Sequence, residues 1–397
     1  MSTNQETPGE TGQRFAASGQ ARRRAFRFVC RALSRQPPEP LLTPEEVAEI
    51  DWPCVAEQIN REQVVANLFA ALERQGWPAF LPADFRDYLT WIHEANTAQN
   101  RRIRGQVLDL GGILGAAGIP FVLLKGANWL MEAGSEIGDR QLTDIDLLVA
   151  PDTCEAAFGA LKAAGFRAAA PAETYVRHFH CVPLARPGDA VTIEVHRHLG
   201  WQRHLLTPGE VIAAAEPLGE TASVGIMSPA HRFIFGCLHA QLQNMGYRSG
   251  LFSLRDLMDI RHLLEHKADA LDWPAIAAFG RERGIYPYLA LPLHLARHLL
   301  GVEVPEPFAS SGVARLNALR CLGQRRLDPG QKFGRLAMKV AWLMDARRHS
   351  YERDCEEAAW PLRQAAIARG RLKSVFDAAR GRKRVVTSTS LEDAADG

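Results

Sequence analysis

The stretch QLTDIDLLVA reads as a buried β-strand that carries two aspartates on one face. Side chains two residues apart in a strand point the same way, so Asp144 and Asp146 share one face and the apolar residues pack on the other. Two carboxylates about 5–7 Å apart repel by about 2–3 kcal/mol at an effective dielectric constant near 20. We therefore expect a compensating group: a shared proton, a basic partner such as Arg140, or a divalent cation.

A later stretch, VTIEVH, offers a further carboxylate on the polar face of a strand. Its apolar residues alternate with Thr192, Glu194 and His196, so Glu194 and His196 point to the same side. If this strand lies beside the Asp-Ile-Asp strand, three carboxylates converge. Mg²⁺ and Mn²⁺ prefer carboxylate, water and phosphate oxygens as ligands. The pattern therefore predicts that Asp144, Asp146 and Glu194 hold a divalent metal. His196 would orient Glu194 or meet a phosphate.

The segment FVLLKGANWL, upstream of the aspartates, has the pattern of a strand, a glycine and a helix. A glycine at such a turn lets the backbone approach a ligand closely, and the helix behind it presents free N–H groups to an anion. We therefore expect Gly126 to lie at a phosphate-binding turn, with Lys125 and Arg140 adding positive charge. The segment is not a Walker A loop, because it lacks that loop's glycine spacing and its lysine–serine pair.

The chain changes character twice along its length. Helical patterns with caps such as Thr43–Pro44 come first, strands alternate with helices in the middle, and helical patterns resume at Ser228–Pro229. This order predicts an α+β fold with a small mixed sheet between two helical regions. We expect a disordered N-terminus (1–21), an N-terminal helical region (22–106), the strand-containing core (107–222), a C-terminal helical domain (223–380) and a disordered tail (381–397).

The composition is that of a globular protein, with 47% hydrophobic and 23% charged residues in 397. No apolar run approaches the length that spans a bilayer and no apolar signal segment opens the chain, so we expect a cytoplasmic protein without a membrane partner. Arginines cluster near Arg22–Arg31 and again from Arg363 to Arg384. Such clusters can bind phosphate backbones, but a solvated helical face or a frayed terminus explains them more simply. Nucleic acid is therefore a conceivable partner and not the favoured one.

Histidines at alternating positions suggest a competing metal site. Four imidazoles and one thiol could bind zinc, although their spacing matches no known zinc module. The residues concerned are His178, His180, Cys181, His196 and His198.

Taken together, these segments resemble a known family. GIPFVLLKGANWL, DRQLTDIDLLV, LKAAGFR, RHFHCVPL and IEVHRHLGW are similar to the uncharacterised nucleotidyltransferase family, whose core has the DNA polymerase beta type nucleotidyltransferase superfold. The likeness runs over roughly residues 25–310, so it makes residues 107–222 the nucleotidyltransferase core and the flanking helices part of the same protein type.

The resemblance assigns roles to individual residues. The superfold's motif is a glycine–serine turn, then Asp-x-Asp, then a third carboxylate on a later strand. Asp144 and Asp146 match the metal pair, Glu194 matches the third carboxylate, and Gly126 matches the phosphate-binding turn. Ala127 stands where the superfold has serine, whereas Leu-Lys-Gly is usual in the family resembled here.

The resemblance implies metal-dependent transfer of a nucleoside monophosphate from an NTP, with ATP as the expected donor and Mg²⁺ or Mn²⁺ as cofactor. The acceptor would be a protein, a small molecule or an RNA. Asp144 and Asp146 would bridge two metal ions, and Glu194 would hold the metal that activates the nucleophile or act as its base.

Two other functions remain open. One is a non-catalytic nucleotide-binding or assembly subunit that keeps the fold, which the missing serine favours. The other is a nucleic-acid-binding protein that uses the terminal arginine clusters.

Overall fold

The N-terminal part of the computed structural model is helical, and its helices begin where the sequence places capping residues. Thr43 and Glu46 form a reciprocal capping box at one of them, and Pro44 follows in its first turn. The structure describes residues 18–132, 136–170, 175, 178–219 and 221–326. The helices are α1 (Gly19–Ala32), α2 (Pro44–Ala48), α3 (Trp52–Glu62), α4 (Val65–Arg74) and α5 (Ala83–Ala116).

Among the described residues, one mixed sheet of seven strands follows. The order across it is β3-β4-β5-β2-β1-β7-β6. β2 pairs in parallel with β5, while β1 pairs antiparallel with β2 and parallel with β7. The strands are β1 (Phe121–Leu123), β2 (Asp144–Leu148), β3 (Arg167–Ala168), β4 (Leu184–Ala185), β5 (Thr192–His196), β6 (Glu216–Leu218) and β7 (Thr221–Ile226). Helices α6 (Lys125–Met131), α7 (Cys154–Ala163) and α8 (Pro208–Ala213) connect them.

Helices resume after the sheet, and Ser228 caps the first of them with Pro229 at its start, as the sequence predicts. The fold class is confirmed: a small mixed sheet lies between helical segments in an α+β chain. The later helices are α9 (Pro229–Leu238), a π-helical segment (His239–Gln243), α10 (Gly246–Ser249), α11 (Leu254–His266), α12 (Trp273–Glu282), α13 (Tyr286–Leu300) and α14 (Gly312–Arg326).

Two hydrophobic clusters hold these elements together. One lies under the sheet and joins it to α5, α6 and α7 through buried residues such as Ile145 and Ile193. The other joins helices from both ends of the described chain, with Phe28 of α1 and Leu289 of α13 in the same cluster. The first and last helices therefore stabilise each other, and the sheet stands beside their shared core.

The expected segment boundaries stay predictions. α1 begins at Gly19 and α5 runs through residue 106 to Ala116. Most of the expected disordered N-terminus, the later part of the C-terminal helical domain, the second arginine cluster and the expected tail lie outside the described residues. No described helix combines the length and the apolar character needed to cross a membrane.

Candidate metal centre

The centre is built by two neighbouring strands in parallel register. Asp146 of β2 pairs with Glu194 of β5, and the next polar-face position of β5 is His196. Ile145 and Ile193, on the other face, are fully buried in the core under the sheet. The expected adjacency of the two strands is confirmed. The apolar face sets the register, and the register brings the acidic side chains together.

Three side chains converge on one point. Ligand atoms of Asp146, Glu194 and His196 all lie within 4.8 Å of one another, the set of described residues that could share a metal ion. His196 Nε2 lies 2.8 Å from Asp146 Oδ1 and 3.6 Å from Glu194 Oε2. Asp146 and His196 are almost completely buried. The structure thus gathers two of the three expected carboxylates, and it adds an imidazole.

Asp144 lies beside this set and outside it. Its carboxylate accepts a hydrogen bond from Thr143 Oγ1 at 3.3 Å. Burial and the negative charge of Asp146 raise the pKa of Asp144. The ionised form of the Asp144 carboxylate is therefore disfavoured, as the sequence predicts for two acids on one face of a strand. Its role as a metal ligand stays a prediction.

Lys125 supplies the basic partner of the centre. Its Nζ lies 2.9 Å from Asp146 Oδ1. Its backbone has a φ of 47°, a left-handed conformation that side chains rarely adopt. Such strained residues cluster at functional sites. The sequence suggests a basic partner of the aspartates such as Arg140, and the structure brings Lys125 to Asp146 instead.

Arg140 has a different carboxylate partner. Its Nε and Nη2 donate to the two oxygens of Asp259 on α11, at 2.7 and 2.8 Å. The backbone carbonyl of Arg140 accepts from the amides of Asn96 and Asn100. The guanidinium of Arg140, which we expected to contact a phosphate, therefore binds the carboxylate of Asp259. Sequence analysis did not predict this partner. No local pattern signals a contact between residues 119 positions apart.

Gly126 is buried against that same arginine. A Cβ at this position would lie 2.0 Å from Arg140 Nη1, so no larger residue fits while the arginine stays in place. The close approach that we expected of this glycine is thus made to a side chain of the protein. Its contact with a phosphate stays a prediction.

His180 faces Glu194 in a way that favours a cation between them. Its Nδ1 lies 2.7 Å from the carbonyl oxygen of Cys181, which only accepts, so Nδ1 carries the proton of that hydrogen bond. Burial and the charge of His196 lower the pKa of His180, which keeps the ring neutral. Its Nε2 lone pair then points at Glu194 Oε2, 3.5 Å away. Two acceptors in contact repel, and a metal ion accepts from both.

The electrostatics keep the acids ionised. Burial alone would raise the pKa of Asp146, but the hydrogen bond of His196 and the charge of Lys125 outweigh it and hold that pKa far below its usual range. Burial is likewise outweighed at Glu194 by the hydrogen bond of His196, which lowers its pKa. Burial lowers the pKa of His196, yet Asp146 and Glu194 raise it overall.

The donor set fits a divalent metal. Two ionised carboxylates and an imidazole that gives up the Nε2 proton it shares with Asp146 would suit Mn²⁺ better than Mg²⁺, which prefers oxygen ligands throughout. Within the described part of the chain the residues of the competing zinc set do not converge, since the group that could share a metal ion is Asp146, Glu194 and His196. Cys181 Sγ instead lies 3.0 Å from Cys154 Sγ and accepts from Arg197 at 3.3 Å. The sequence signal for His180 is its alternation with His178, which suggests the competing zinc site.

A strand–glycine–helix turn, carboxylates in register on paired strands and flanking helices together define a nucleotidyltransferase type of fold. The chain belongs to the family described as uncharacterised nucleotidyltransferase, whose sequence model matches residues 48–301, more than half of the chain. The resemblance inferred from the motifs is thereby confirmed. No curated protein matches the chain.

Proposed function

We propose that this protein is a metal-dependent nucleotidyltransferase that transfers a nucleoside monophosphate from an NTP, with ATP as the donor, to an acceptor. Membership of the family supports nucleotidyl transfer in general. The observation that carries the proposal is the parallel register of Asp146 with Glu194, which converges with His196 on one point. Acids are placed this way on buried strands where a cation balances them.

Asp146, Glu194 and His196 would hold the metal, and Asp144 would add a further carboxylate. When bound, a divalent ion would neutralise charge on the triphosphate as the acceptor oxygen bonds to the α-phosphorus and the bond to the departing pyrophosphate breaks. Lys125 Nζ, beside Asp146, gives the phosphates a positive charge from the protein. Glu194, whose carboxylate is only partly buried and has a lowered pKa, would hold the metal that activates the attacking hydroxyl or accept the proton of that hydroxyl.

The two alternatives have less support. A non-catalytic nucleotide-binding subunit is favoured by the missing serine after Gly126 and by the engagement of Arg140 with Asp259. A nucleic-acid-binding role is not favoured by the first arginine cluster, whose members pair with glutamates of the α2 region: Arg24 with Glu49 at 2.6 Å and Arg31 with Glu46 at 2.6 Å.

The test is transfer of label. The purified protein would be incubated with ATP labelled on the α-phosphate, Mn²⁺ and a cell extract, beside Asp146→Asn. We expect the variant to lose about 10²-fold or more of the label transfer, because a metal ligand is lost. Asp152→Asn, an exposed aspartate, is the matched control and should transfer label normally. Equal transfer by all three proteins would refute the proposal.

The same reaction identifies the acceptor class. Treating the labelled products with protease, with ribonuclease or with neither separates protein, RNA and small-molecule acceptors. A wild-type protein that binds ATP and labels nothing would favour the non-catalytic alternative.

A further inference from the structure

Two cysteine side chains are in contact beside the candidate metal centre. Cys154 is the first residue of α7, Cys181 lies between β3 and β4, and their Sγ atoms are 3.0 Å apart. Both thiols are free and both residues are buried. A disulfide bond needs a sulfur–sulfur distance of about 2.05 Å, so a movement of about 1 Å would join them. The fold thus brings together two thiols that are 27 positions apart in the sequence.

The surroundings of the two sulfur atoms differ. Arg197 Nη2 donates to Cys181 Sγ at 3.3 Å, and Glu155 accepts from the same nitrogen at 3.2 Å, which holds the guanidinium group in place. Cysteines beside an arginine are more reactive than cysteines in apolar surroundings. Cys181 is also 5% exposed, whereas Cys154 is fully buried. A small oxidant should therefore react with Cys181 first.

Cys181 is connected to the candidate metal centre through its backbone. Its N–H donates at 2.8 Å to the carbonyl of Val195, which lies between Glu194 and His196 on β5. Its own carbonyl accepts from His180 Nδ1 at 2.7 Å. A covalent bond from Cys181 to α7 would therefore restrain the segment that presents His180 to Glu194.

We propose that Cys154 and Cys181 form a redox modification site, which hydrogen peroxide converts into a reversible disulfide within the folded chain. The bond would join the start of α7 to the segment beside β5. No metal ion and no nucleotide takes part in this chemistry, so the site is independent of the proposed function.

The reaction has two steps. The Cys181 sulfur bonds to one peroxide oxygen, the O–O bond breaks, and the departing oxygen leaves as water with the thiol proton, so that Cys181 becomes a sulfenic acid. The Cys154 sulfur then bonds to the Cys181 sulfur and the S–O bond breaks. The departing hydroxyl takes the proton of the Cys154 thiol and leaves as a second water molecule. The two sulfurs together lose two electrons, which the peroxide gains, and a thiol reductant reverses the change.

The test treats the reduced full-length chain with hydrogen peroxide, blocks the remaining thiols with N-ethylmaleimide and maps the peptides by mass spectrometry. We expect a peptide pair joined through Cys154 and Cys181 that disappears after dithiothreitol. Cys154→Ser should instead accumulate sulfenic acid at Cys181, which dimedone traps. Cys237→Ala is the matched control, because Cys237 is fully buried in the other hydrophobic cluster, and it should form the bond as the wild type does.

Thermal unfolding shows whether the bond suits the native fold. The oxidised wild type should unfold at a higher temperature than the reduced protein, because a disulfide formed without distortion restricts the unfolded chain. Dithiothreitol should return the unfolding temperature to its original value. The proposal is overturned if peroxide forms no bond between Cys154 and Cys181, if the bond forms only in urea, or if the oxidised protein unfolds earlier than the reduced one.

Discussion

Arg140 and Asp259 meet through two hydrogen bonds of 2.7 and 2.8 Å, and this pair ties the segment before β2 to α11. β2 carries the acids of the candidate metal centre, and α11 belongs to the helices that follow the sheet. The pair therefore holds the segment that leads into the candidate centre against those helices.

Asp259→Asn should destabilise the protein by about 1–3 kcal/mol. Breaking a fully buried pair costs about 3–5 kcal/mol, and Asp259, whose side chain is 39% exposed, should lose less. Urea denaturation measures the difference. Asp269→Asn is a matched control on an exposed turn and should change stability by less than about 0.5 kcal/mol. A loss at Asp259 no larger than in this control would show that the pair is not structural.

Asp144→Asn should make the metal-free protein more stable and weaken its response to metal. Burial and the charge of Asp146 raise the pKa of Asp144, so its ionised form is unfavourable in the folded state. Removing the charge should therefore raise stability by about 1 kcal/mol at neutral pH. Thermal unfolding with and without Mn²⁺ gives both quantities. The prediction fails if the variant unfolds earlier than the wild type without metal and gains as much from Mn²⁺.

Gly126→Ala should cost about 1–3 kcal/mol, because the added methyl group meets the guanidinium of Arg140, which Asp259 holds in place. Gly159→Ala is a contrasting control in α7. Open space surrounds the Cβ position there, so alanine should stabilise by about 0.5–1 kcal/mol. Equilibrium unfolding of both variants checks the prediction. Similar effects of one sign at the two glycines would contradict it.

Glu210 should contribute to stability only above acidic pH. Arg283 donates to its carboxylate, and this hydrogen bond, with those from Thr207, lowers the pKa of Glu210 to about 2. A lowered carboxyl pKa stabilises the fold above the unfolded value, near 4.3, and the contribution disappears as pH falls toward about 2.

Glu210→Gln should therefore be about 1 kcal/mol less stable at pH 6, a value reduced for partial exposure, and about equal to the wild type near pH 2. Urea titrations across this range measure the gap. The exposed Glu216→Gln is the control and should stay within about 0.5 kcal/mol of the wild type at pH 6. A gap that stays constant down to low pH would contradict the assignment.

The two site strands could be predicted from the sequence because alternation with a period of two is a local signal. The apolar face of VTIEVH assigns Glu194 to the polar side, and the structure agrees. The sequence predicts only part of the position of His196. Alternation assigns His196 to the same face of β5 as Glu194, but its hydrogen bond to Asp146 depends on the offset between two strands, which periodicity does not give.

Contacts between distant segments could not be predicted. Asp259 lies in an ordinary amphipathic helix pattern, so nothing local distinguishes it as the partner of Arg140. The π-helical segment His239–Gln243 could not be predicted for a second reason. It breaks the helical period by one residue, and sequence patterns show that break only after the backbone is known.

The pairing of Asp146 with Glu194 also makes a misfolded chain, in which β5 is shifted along β2, less stable than the native one. A shift of β5 by one position would turn its acid toward the hydrophobic cluster under the sheet and bring Ile193 onto the face of the candidate metal centre. Misassembled molecules would therefore be unstable, and cellular proteases would remove them. A well-folded population lacking a correctly formed centre should not accumulate.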